Sequence, residues 1–147
     1  MPNPPKTTER SSHTEAVRTW RETWSATPTR TELLDLFERA LDGLWRRAHL
    51  SLGEITLMAI VDRVLHDGTE RYPHLAVLKL ETSGLNFGEL RQSVQALAET
   101  LLEESLTFLL GELLRVLGTL TGEILTPALH AELHRVRPEE AKKGVKV

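Results

Sequence analysis

The sequence contains no cysteine, which removes disulfides, thiolate nucleophiles, cysteine zinc sites and iron–sulfur clusters together. Aromatic residues make up only 5 % of the chain, whereas 27 of its 147 residues are Leu. β-Branched and aromatic side chains favour strands and straight-chain ones favour helices, so this core reads as packed helices. Positive charge is not in excess either. The 18 basic and 21 acidic residues leave a net charge of −3. That sign disfavours broad binding to nucleic acid or anionic membrane, which needs basic groups opposite the phosphates. Long apolar runs are missing: the most apolar stretch, Leu106–Leu125, carries Glu112, Arg115 and Glu123, which are costly in a bilayer. Met1-Pro2-Asn3-Pro4-Pro5-Lys6 has none of the apolar character of a secretory signal. A cytoplasmic protein is expected, and the preference for Arg over Lys with abundant Leu points to a bacterial source. Phosphate-loop, nucleophile-elbow and His-Glu-x-x-His motifs are absent too. Gly84-Leu85-Asn86-Phe87-Gly88 has the wrong spacing for a phosphate loop and lacks its Lys-Ser/Thr pair.

What remains is 40 % hydrophobic and 27 % charged, the balance of one globular domain with tails. Residues 1–13, proline-rich and polar, read as a disordered tail. Residues 14–28 read as an amphipathic helix and linker, with Val17, Trp20 and Trp24 on one face and Pro28 ending it. The main body covers residues 29–137, and residues 138–147 form a polar tail.

Within the body, Thr29 and Glu32 have capping-box spacing ahead of a helix over about residues 30–48. Its stripe is Leu34, Phe37, Leu41, Leu44, Trp45 and Ala48. A second such box, Ser51 to Glu54, opens a helix to about residue 66. Its narrow polar edge predicts the most buried helix of the bundle. Residues 75–81 read as a helical turn or extended linker, or as a short strand pairing across a dimer, since no partner strand is evident in the chain. Asn86 is expected to cap a third helix running to Leu117 or beyond. Thr126-Pro127 starts the last one, with Leu129, Leu133 and Val136 buried. The fold class expected is all-α: about four main helices plus the short N-terminal helix.

Candidate chemistry is sparse. Asp62, His66 and Glu70 recur every four residues, a spacing that suits an acid–imidazole–acid ladder for a metal ion or a tuned base. A row of ordinary i,i+4 pairs gives the same spacing. His130 and His134 share it and lack an obvious third ligand. His66-Asp67 is the dipeptide of phosphoacceptor histidines in sensor-kinase helices, without a match in the flanking residues. Arg46–Arg47 and Lys142–Lys143 are basic doublets, and Arg39, Arg46 and Arg47 are the only start on a basic cluster along one helix. No catalytic, cofactor or metal residues are therefore assigned.

The function expected is a non-catalytic interaction or regulatory module, with a small enzyme or metal-binding protein on the Asp62/His66/Glu70 edge as the alternative. Val17, Trp20 and Trp24 are candidate contact residues, since Trp is enriched at binding hot spots. Leu102, Leu106, Leu109, Leu113, Val116 and Leu120 are spaced 4-3-4-3-4, a heptad-like seam. An unbroken helix from Asn86 to Leu125 would be about 60 Å long, well beyond a globule of this size. Either it breaks near Gly111 or Gly118–Gly122, or a homodimer covers the overhang.

Overall fold

The structure is a computed structural model that describes residues 5–24, 27–93 and 96–138, with side chains from His13 onward. The elements are α1 (Pro5–Glu22), α2 (Arg30–Leu52), α3 (Glu54–Arg71), a 3-10 turn (Pro73–Val77), β1 (Lys79–Glu81), β2 (Gly84–Asn86), α4 (Gly88–Ser93), α5 (Glu99–Leu120) and α6 (Thr126–His134). The fold is a helical bundle with one small hairpin. The C-terminal tail from residue 139 lies outside the described residues.

α2 begins where the capping box demands. Thr29 Oγ1 accepts from the Glu32 amide at 3.2 Å, and Glu32 Oε1 accepts from the Thr29 amide at 2.8 Å. All six residues of its predicted stripe are buried. The helix runs on to Leu52, and Gly53, at φ 82°, turns the chain into α3. The second capping box therefore does not form: Ser51 is inside α2 and Glu54 is the first residue of α3. A φ in the left-handed region suits glycine and breaks the helix without a side-chain cap.

α3 is not the most buried helix, as its composition suggested. It buries one face, Leu57, Ile60, Val61, Val64 and Leu65, and leaves Ile55 in solvent. α5 takes the central place instead, with Leu102, Leu106, Leu109, Leu110, Leu113, Leu114 and Leu117 all buried. It lies antiparallel to α3, since Tyr72 bonds Glu104 while Gly68 faces Leu109. It is antiparallel to α1 as well: Arg21 pairs with Glu103 at one end, and His13 reaches Gly118 at the other.

Two expectations between residues 75 and 99 are corrected. The strand at 79–81 does have a partner in the chain: β1 and β2 pair antiparallel, Lys79 with Asn86, Leu80 with Leu85 and Glu81 with Gly84. β2 is three residues long and ends at Asn86, so its strand character was hidden under the helix cap read there. That cap is real in part, because Asn86 Oδ1 accepts from the Gly88 amide at 2.8 Å. The predicted third helix is two. α4 ends at Ser93, and α5 starts after Ala98, whose ψ of 142° is extended. Leu90 of α4 and Leu102 of α5 both belong to the one core. The 22 residues of α5 span only about 33 Å, so the overhang that called for a second subunit is gone.

α1 starts at Pro5, inside the stretch read as a disordered tail, and His13 at its centre is only 2 % exposed. Its apolar face packs on its own bundle. Trp20 is fully buried, stands edge-on to Phe37 and Trp24 at 5.2 Å, and donates from Nε1 to the Val136 carbonyl at 2.8 Å.

Candidate functional site

A polar cluster with a buried histidine lies where α5 ends. Thr121, Gly122 and Glu123 close the helix in a Schellman arrangement: the Glu123 amide bonds the Gly118 carbonyl at 2.6 Å, and the Gly122 amide bonds that of Thr119 at 3.1 Å. Gly122, at φ 61°, takes the left-handed position, and Glu123 follows at φ 65°. A non-glycine residue there is strained by about 1–3 kcal/mol. The reversal folds the Glu123 carboxylate back over Gly118.

His13 and His130 complete the cluster. His13 Nε2 lies 3.3 Å from Glu123 Oε1, and His13 Nδ1 lies 3.1 Å from His130 Nε2. Thr126 Oγ1 donates to the same Glu123 oxygen. An ionised carboxylate can only accept, which assigns the tautomers: His13 donates from Nε2 to Glu123, and His130 donates from Nε2 to the free lone pair on His13 Nδ1. Glu123 Oε2 is buried with no partner among the described residues. Burial, helped by the nearby His13 and His134, pushes the His130 pKa below its ordinary value, against the opposing pull of Glu123. Both His13 nitrogens are engaged, so the chain of protons ties α1 to α5 and α6 rather than presenting a base to a substrate.

The residues singled out from sequence fare differently. Asp62, His66 and Glu70 do lie on one unbroken helix, since α3 passes through Gly68 without interruption. All three are exposed; His66 Nε2 meets Glu70 Oε2 at 3.2 Å, an ordinary i,i+4 pair. His130 pairs with His13 rather than with His134. No group of three potential ligands could hold a metal ion among the described residues. Glu112 and Arg115, three residues apart on α5, pair at 2.6 Å.

The candidate contact residues mostly face inward. Val17 and Trp20 are buried and Trp24 partly so. In the Leu seam, Leu102, Leu106, Leu109 and Leu113 are buried within the monomer, Val116 is half-buried, and Leu120 alone is exposed. The seam is real, but the chain's own helices fill it. A helical apolar stripe reads alike whether its partner is another subunit or another helix of the same chain.

Large apolar side chains do reach solvent elsewhere: Ile55 is 86 % exposed, Ile124 81 %, Leu50 80 % and Leu120 62 %. Leu50 and Ile55 flank the Gly53 turn, and Leu120 and Ile124 flank the reversal after α5. Because α3 and α5 run antiparallel, these two corners share one end of the bundle.

No family model matches the chain, and comparison with curated proteins and with solved structures finds no match. Among the described residues no helix is long and apolar enough to cross a membrane.

Proposed function

We propose that the protein is a non-catalytic interaction module that self-associates through the end of the bundle formed by the two helical corners. The observation that carries this is the exposure of Leu50, Ile55, Leu120 and Ile124 together at that end. Scattered single apolar residues are normal on a surface, whereas four large ones at the same end of a bundle support a contact site. A patch of this kind complements itself, and a two-fold dimer uses each of its residues twice. This interface replaces the α5 seam, which is already occupied. The polar ladder on α3 supports the enzyme alternative poorly, because its three side chains stand in solvent.

Light scattering on a sizing column tests the reading. A dimer mass is expected at tens of micromolar protein. Ile55→Asp and Ile124→Asp should each weaken self-association by about tenfold or more, since burying one such side chain contributes about 1.5–3 kcal/mol. Both positions are solvent-facing, so the melting temperature of the monomer should hold. A wild-type monomer mass, or a dimer that survives both substitutions, refutes the proposal.

A further inference from the structure

The contact between His13 and His130 is limited in the protons it can hold. The facing nitrogens, His13 Nδ1 and His130 Nε2, stand 3.1 Å apart, and the rings meet edge-on at 86°. A hydrogen bond at that separation needs one proton and one lone pair. With both rings neutral, His130 donates and His13 accepts. A first added proton fits as well: it goes to the far nitrogen of His130, and Nε2–H still points at the lone pair of His13. A second has only His13 Nδ1 left, because His13 Nε2 already donates to Glu123. Two N–H groups then face each other, each on a positive ring, and the bond between them is lost.

The surroundings decide which ring must move. Among the described residues, the titratable and charged groups facing the pair are Glu123 beyond α5, His134 on α6, and Arg18, Arg21, Glu112 and Arg115, which line one cavity with His13. Arg18 pairs with Glu15, Arg21 with Glu103 and Arg115 with Glu112, so Glu123 and His134 act on the pair most directly. One carboxylate balances one positive charge and not two. His13 is only 2 % exposed, so water cannot hydrate the second charge where the ring stands. His130 is fixed by α6, whose Leu129 and Leu133 are fully buried, and Glu123 by the reversal at φ 65°. α1 is tied to the bundle further along, by Trp20 against Phe37 and the Val136 carbonyl. The turn around His13 is therefore the part free to leave.

We propose that this pair is an acid-released latch: uptake of a second proton parts His13 from His130 and frees the turn of α1 around His13, while the Trp20 end stays docked. The open form binds more protons than the closed one, so opening grows as the pH falls below the ordinary histidine value of about 6.5. Burial first, then the charges of His13 and His134, hold the His130 pKa below its ordinary value, with Glu123 opposing. The closed contact resists protonation in the same sense. Both rings belong to one chain, so the latch operates in the monomer and in a dimer alike.

Amide hydrogen exchange of the full chain at pH 7.5 and pH 5, corrected for the intrinsic effect of pH, tests it. Amides of α1 around His13 should lose protection by about tenfold or more in acid, the weight of one hydrogen bond to a charged group. Those of α5 between Leu102 and Leu117 should change less. His130→Gln keeps a neutral N–H donor opposite His13 and offers its amide oxygen when His13 gains a proton, so its α1 should stay protected at both pH values. His74→Gln removes the other histidine whose pKa burial lowers, and its α1 should open as in the wild type. Nitrogen shifts of the two rings give a second reading in the wild type: two separate proton uptakes, the second coinciding with the loss of protection. An α1 that stays protected after the second uptake, an acid response that persists in His130→Gln, or an equal loss across α5 would each overturn the proposal.

Discussion

Gly118→Ala isolates the polar cluster at the end of α5. Alanine is a better helix former than glycine by about 1 kcal/mol, so an open helical position should be stabilised. Gly118 is not open. A Cβ built there would sit 2.7 Å from Glu123 Oε1, 2.8 Å from His13 Nε2 and 2.9 Å from Thr126 Oγ1. Each of those atoms is the tip of a side chain, so each could move alone. They are bonded to one another, however, and Glu123 is held by the backbone reversal, so yielding means breaking the network. Overpacking of this kind costs about 1–3 kcal/mol, and losing a hydrogen bond to the carboxylate adds about 1.5 kcal/mol. Set against the helix-propensity gain, the net destabilisation should be about 2 kcal/mol, or roughly 4–8 °C in melting temperature. Gly111, on the same helix, meets nothing within 4 Å, so Gly111→Ala should raise stability by about 0.5–1 kcal/mol. Thermal and urea denaturation of both variants reads the contrast. In a His13→Ala background the Gly118→Ala penalty should shrink, because the crowding partner is gone. If Gly118→Ala is as stabilising as Gly111→Ala, the cluster described here does not exist in solution.

Trp20→Ala should cost about 3–5 kcal/mol, read by chemical denaturation; an unchanged stability would mean that α1 does not pack on the bundle. Acid should destabilise the fold through His130 and His74, whose pKa values burial pushes below the ordinary histidine value. Above about pH 6.5 both groups are neutral in either state and contribute no slope. As the pH falls through that value the unfolded chain takes up protons first, so stability drops until the lowered folded values are passed. Denaturation midpoints at pH 8, 7, 6 and 5 check this, and His130→Asn should flatten part of the slope. A midpoint that rises between pH 7 and 5 in the wild type would contradict the burial of both rings.

Local signals carried most of the helices. The Thr29–Glu32 box and the 3.6-residue stripe of α2 are short-range and self-contained, and both reappear as expected. Errors arose where one residue pattern served two outcomes. Ser51 and Glu54 have cap spacing, yet Gly53 between them ends one helix and starts the next without a cap. Residues 86–117 read as one helix, although the periodicity of a stripe does not report a turn between its halves. The polar cluster was least legible. His13 sits among polar residues that suggest a tail, and its partners lie 110 and 117 residues away. The one local cue was the pair Gly118 and Gly122, which marked a close approach or a break. Both occur: Gly122 ends the helix so that Glu123 can close over Gly118.

The bonds from α1 to the far end of the chain bear on how the protein is made. Trp20 and its acceptor, the Val136 carbonyl, are separated by 116 positions, and ribosomes add about 5–20 residues per second. The N-terminal helix is therefore synthesised roughly 6–23 s before the Val136 carbonyl exists. During that interval α1 and α2 can already bring Trp20 against Phe37, while the carbonyl that accepts from the Trp20 indole is still missing. The bond that ties α1 to the stretch after α6 thus forms late, once Val136 has been made.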